Sequence, residues 1–173
     1  TSITDLEVAT GISRISLYNA FGDKDGLFLK ALTMYRDSAY AFFHDPAFAN
    51  GGLSSIIDLF ESSASDRPAD APEQSGCLML NTILDINEVS DTACTLVKNC
   101  RNEMVAGFEA ALLAANTSGE ATSSPGVRRR RAEFLVGAMW GARITARLMG
   151  NVTAGQGVVS TVVNTVHSWK DRA

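Results

Sequence analysis

The chain has 173 residues, of which 46% are hydrophobic and 20% charged, a balance that supports one packed core and excludes wholesale disorder. Fifteen lysines and arginines against nineteen aspartates and glutamates leave a formal charge of −4, which excludes a uniformly basic coat for nucleic acid but not a local contact surface. The uncharged run 135–142 is far shorter than the ~20 residues of a membrane span, residues 1–5 carry no signal-peptide pattern, and three cysteines without a CxxC pair fit a reducing cytoplasm.

Prolines at Pro46, Pro68, Pro72 and Pro125, with glycines at Gly11, Gly22, Gly51, Gly52, Gly119 and Gly150, cut the chain into segments. Apolar spacing within these segments predicts an all-α chain of about eight helices. Residues 2–10 form the first, with Leu6 and Ala9 inward and Gly11 as its stop. Ser13 caps a second at 14–21, ended by Gly22, and Asp23 caps a third at 24–43. Pro46 and the Gly51-Gly52 pair then break the chain before a fourth helix at 54–63. A polar loop at 62–74 leads to an apolar segment at 76–87, and Ser90 or Asp91 caps a long helix to about residue 115. A loop at 117–126 precedes helices at 128–149 and 156–169. The expected division is a head, residues 1–45, and a helical regulatory and dimerisation body, residues 46–173; each carries a net charge of −2.

The first three segments describe a helix-turn-helix. Gly11 supplies a turn conformation that other residues resist, and Ile12 is expected to plug the turn. Leu17 and Phe21, four residues apart, should face Leu6 and Ala9, leaving Arg14, Ile15, Ser16, Tyr18 and Asn19 on the outward side and rim of the second helix. No acidic residue occurs from Val8 to Gly22, as a phosphate-facing surface requires.

These residues, TSITDL at 1–6, TGISR at 10–14 and LYNAFGDKDGLF at 17–28, resemble the DNA-binding head of the TetR/AcrR family of bacterial repressors. The resemblance is specific over residues 1–45 and looser beyond, where GCLMLNT at 76–82 and the terminal helix pair resemble one branch of the family's regulatory domain. It implies a cytoplasmic homodimer whose two heads read a palindromic double-stranded operator, with a helical-bundle body that binds a small effector and alters the spacing of the heads. It implies that Ser13 and Arg14 open the recognition helix near phosphates and base edges, that Ser16 and Asn19 make further contacts, and that Tyr18, Lys24 and Thr1 or Ser2 meet phosphates. The family carries a further helix before this motif, so the head is expected to lack its first helix here. Ile15 stands where a small residue is common and either meets a thymine methyl or crowds the groove; Ala20 stands where histidine is frequent.

In the body, Phe60, Met79, Ile83, Met104, Phe108 and Trp140 face inward by periodicity and are the expected walls of an effector cavity. Asn81, Thr82, Asn99 and Arg143 are the polar groups that would orient a ligand, which is expected to be apolar or weakly polar. Small residues at four-residue steps, Gly137 and Gly141 with Ala138, Ala142 and Ala146, let another helix approach closely. With the stripe Val159, Val162, Val166 and Trp169 they predict a two-fold four-helix interface. Arg128, Arg129, Arg130 and Arg131 read as the solvated start of a helix rather than a second anion patch. His44 and His167 have no ligand spacing with the cysteines, and no carboxylate pair or Cys–His pair is poised for chemistry, so no metal, cofactor or catalytic residue is expected. The rival reading is a helical small-molecule carrier or enzyme with a vestigial DNA-binding head.

Overall fold

Side-chain caps fix where most helices begin. In the computed structural model, which describes residues 1–63 and 77–170 apart from the side chain of Val152, the first helix, α1 (Ile3–Thr10), starts with a reciprocal pair. The Asp5 N–H donates to Ser2 Oγ at 3.1 Å, and the Ser2 N–H donates to Asp5 Oδ2 at 2.6 Å. Ser13 caps α2 (Arg14–Phe21) by accepting the Ser16 N–H at 3.2 Å, and Asp23 caps α3 (Lys24–Phe43) by accepting the Gly26 N–H at 2.7 Å. Ser90 and Ser124 do the same for α7 (Asp91–Thr117) and α8 (Pro125–Met149). The remaining helices are α4 (Pro46–Ala49), α5 (Gly52–Ser63), α6 (Leu78–Leu84) and α9 (Gln156–His167). A short 3-10 helix, Val152–Gly155, precedes α9, and no strand occurs among the described residues.

Helix α4 lies where Pro46 predicts a break. Asp45 accepts the Ala47 N–H at 2.7 Å, and proline at the first helical position needs no N–H partner, so the same pair that ends α3 starts a new turn. Helix α5 starts two residues earlier than expected. Gly52 adopts φ +64°, and the Glu120 carboxylate accepts the Leu53 N–H at 3.1 Å; a Cβ on Gly52 would lie 2.7 Å from that carboxylate. The expected loop at 62–74 lies almost wholly outside the described residues.

Helix α7 is the axis of the body and packs against α3, α4, α5, α6 and α8. Phe108, fully buried on α7, meets Phe43, Phe48 and Phe60 at ring-centroid distances of 5.2, 5.8 and 6.3 Å. Each such buried ring contributes about 1.5–3 kcal/mol through area removed from water. Helices α3 and α7 cross at Gly107, where an added Cβ would lie 2.6 Å from Phe43 Cβ.

Val159, Val162 and Val166, expected at a dimer interface, are buried within their own protomer, where α9 packs on α5 and α8. Ala142 is buried too, with its Cβ 3.3 Å from where a Cβ on Gly155 would lie. A stripe of valines on one helix face marks burial, and here their own chain supplies the covering surface. The arginine run at the start of α8 is held by intramolecular contacts. Arg128 donates to the Ser123 carbonyl at 2.6 Å, Arg129 pairs with Glu109 at 3.0 Å and Glu133 at 3.2 Å, and Arg131 lies 4.5 Å above the Trp169 ring.

Candidate functional site

At the head, Gly11 turns the chain with φ +68°, and Thr10 braces the turn by donating to the Leu6 carbonyl at 2.7 Å and accepting the Ile12 N–H at 3.2 Å. Leu17 is the residue of α2 that is buried, and Phe21 is half-buried. Ser13, Arg14, Ile15, Ser16, Tyr18 and Asn19 are all exposed, as an outward reading face requires. Arg14 and Tyr18, four residues apart, form one unit: the guanidinium donates to the Tyr18 hydroxyl at 3.5 Å and lies 5.4 Å from the ring centre. Ile15 is 73% exposed, so it is free of the protein core.

Two features of the head differ from expectation. Ile12 is 45% exposed and does not plug the turn, and Ala9 is exposed, because α1 makes little contact with α2 and buries none of its residues. The Glu7 carboxylate reaches across the turn and accepts the Arg14 backbone N–H at the first turn of α2. No acid lies within Val8–Gly22 in sequence, yet one reaches the start of the second helix in space.

Thr1 and Lys24 lie elsewhere. They line a groove with Asp25 and Phe28 of α3 and with Leu78, Asn81 and Thr82 of α6. Lys24 is exposed on the first turn of α3, beside the Asp23 cap. The Ser2 amide holds the Asp5 carboxyl below its ordinary range, so this cap stays ionised at neutral pH.

A cavity of about 430 Å³ lies between α3, α5, α6, α7 and α8. Met79, Met104, Trp140 and Arg143 line it, as the sequence suggested. Phe60 and Phe108 stand behind it in the aromatic core, and Ile83 packs against the core without lining the cavity. Asn81 and Thr82 face the head–body groove, and Asn99 lines a surface groove with Arg36 and Glu103. The sequence reading missed the largest wall, contributed by Tyr35, Ser38, Ala39, Phe42 and Phe43 of α3. The spacing 35, 39, 42 continues an inward stripe along the C-terminal half of α3 and was the available signal. Leu59, Cys77, Cys100 and Met139 complete the lining. The Tyr35 hydroxyl donates to Cys77 Sγ at 3.3 Å. Burial pushes the Tyr35 phenol up and the Cys100 thiol up to about 11, so both are protonated at neutral pH.

On α8, Phe134, Gly137, Gly141, Ile144 and Leu148 recur at steps of three and four. Phe134 and Ile144 are each 44% exposed and Leu148 is 81% exposed. A Cβ built on Gly137 or Gly141 meets nothing within 4 Å. Trp169 is half-buried against Arg131 and, edge to face at 6.4 Å, against Phe134.

No protein-family model matches the chain, and no curated protein matches it in sequence. Solved structures do match in shape. A TetR transcriptional regulator from Chloroflexus aurantiacus superposes with a TM-score of 0.77 at 21% identity, over 100% of this chain and 87% of that one. A regulatory protein TetR from Rhodobacter sphaeroides gives 0.76 at 16% identity over 99% and 88%, and reduced NemR from E. coli gives 0.72 at 13% identity over 98% and 86%. The all-α chain thus has the fold of the TetR regulators.

Proposed function

We propose that the chain is a homodimeric, ligand-responsive transcriptional regulator, a repressor released from a palindromic operator by a small molecule, and not an enzyme. The observation that carries this reading is the continuity of α3. Its first residue, Lys24, follows the exposed reading face of α2, and its last two turns form the wall of the 430 Å³ cavity. One rigid element therefore serves both sites. The division into a head at 1–45 and a body at 46–173 follows function, with α3 as the element shared between them.

In this reading α2 enters the major groove with Arg14, Ser16 and Asn19 towards base edges and Ile15 towards a thymine methyl. Tyr18, with Ser13, Ser2, Thr1 and Lys24, meets the phosphate backbone. The exposed stripe Phe134, Gly137, Gly141, Ile144 and Leu148 pairs with its copy across a two-fold axis, and the two glycines let the α8 helices approach. Effector and DNA favour different head separations, so each weakens the other by a reciprocal coupling of about 1–3 kcal/mol.

The second reading, a carrier or enzyme with a vestigial head, draws on the Glu7 carboxylate at the start of α2. Footprinting on the DNA flanking the chain's own gene, with salt titration, separates the two. The regulator protects a palindrome, and Lys24→Ala lowers the salt slope by about one. Absence of any protected site at low salt would leave the carrier reading standing.

A further inference from the structure

Arg143 is the one charged side chain among the described residues lining the cavity, and it is half-buried. No described residue gives it a hydrogen bond or an ion pair, whereas Arg128, Arg129 and Arg131 on the same helix are each held by a carbonyl, a carboxylate or a ring. A guanidinium carries five donors in a planar fork and stays charged at any physiological pH. Partly removed from water and without an acceptor among the described residues, it is the group of the wall that a negative charge would pair with. Most of the wall around it is apolar and deformable, with Phe42, Met79, Met104, Met139 and Trp140.

We propose that the cavity takes an amphipathic organic acid, an aromatic or aliphatic body bearing one carboxylate that pairs with Arg143. This rests on the reading of the cavity as the effector site, and it replaces the weakly polar ligand expected from sequence. The wall has no aspartate or glutamate among the described residues to compete for the guanidinium. Tyr35 offers a second donor on the same wall. Its hydroxyl now donates to Cys77 Sγ, a weak acceptor that a carboxylate oxygen readily displaces. Because burial keeps the phenol protonated, the donor is present across the neutral range. The apolar body then lies against the methionines and Trp140, and the volume falls within the ~300–1,000 Å³ common for small-molecule sites.

Phenylbutyrate, naphthoate and decanoate, each against its own primary amide, test this by titration calorimetry on the full chain. At least one acid is expected to bind about 10- to 100-fold more tightly than its amide. Arg143→Met and Arg143→Gln should abolish that preference, and Arg143→Lys should keep part of it. Thermal unfolding of the ligand-free variants reports that they fold, since no intramolecular partner of Arg143 is lost. Equal binding of acid and amide, a preference that survives in both neutral variants, or no binding of any acid overturns the proposal. The regulator reading is judged separately. An amide that binds and releases DNA keeps the regulator and removes the acid, whereas a chain that binds acids but never DNA keeps the acid site and removes the regulator.

Discussion

Glu7 accepts the Arg14 backbone N–H at the start of α2, so one of the free N–H groups that attract phosphate there already faces a carboxylate. Glu7→Gln keeps an acceptor and removes the charge. DNA affinity should rise by about 0.5–1 kcal/mol at low salt, and the gain should shrink as salt screens the repulsion. Fluorescence anisotropy at two ionic strengths checks this, and an unchanged or weaker affinity refutes it. The second residue-scale prediction concerns Cys100, whose thiol is pushed up to about 11 by burial and by its neighbour Cys77. The thiolate is the reactive form, so alkylation at neutral pH should be slow and should accelerate about tenfold per pH unit towards pH 10. Mass spectrometry that resolves the three cysteines reads the rate, and fast, pH-independent modification of Cys100 would contradict it.

Among the elements, α3 and α7 depend on Gly107, where a side chain on α7 would collide with Phe43 of α3. Gly107→Ala gains helix propensity but drives a methyl into Phe43, and the net effect should be a loss of about 1–3 kcal/mol. Urea unfolding measures it, with no loss as the refuting result. The helices themselves were legible in sequence because their signals are local: Ser13, Asp23 and Ser90 cap within three residues of their partners. What covers a helix face is not a local property. The valines of α9 announced burial, but their covering surface is α5, about a hundred residues away in the chain. Depth was hidden in the same way. Phe60 and Met79 both point inward, yet Phe60 fills the aromatic core and Met79 borders the cavity, a distinction set by helices remote in sequence. The outward face of α2 follows from a single local pattern, Leu17 with Phe21.

At the scale of the whole molecule, the proposed assembly rests on the exposed face of α8. Ile144→Asp should yield a folded monomer by sedimentation, because the side chain is 44% exposed within the protomer and the charge is buried by a partner alone. Val162→Asp should instead unfold the protomer, since that side chain is only 2% exposed within its own chain. A dimeric Ile144→Asp protein would remove α8 from the interface. The continuity of α3 has a mechanical consequence. Clamped by Phe43 at Gly107, the helix is a lever about 30 Å long at ~1.5 Å per residue, with Tyr35 roughly 12 Å from the fulcrum and Lys24 at the far end. A ligand that pushes Tyr35 sideways by about 1 Å swings Lys24 by about 2.4 Å, by the ratio of the two arms. In the proposed two-fold dimer, two such levers moving oppositely change the distance between their tips by about 5 Å, more than the ~3.4 Å between successive base pairs, so both heads would lose register with one operator.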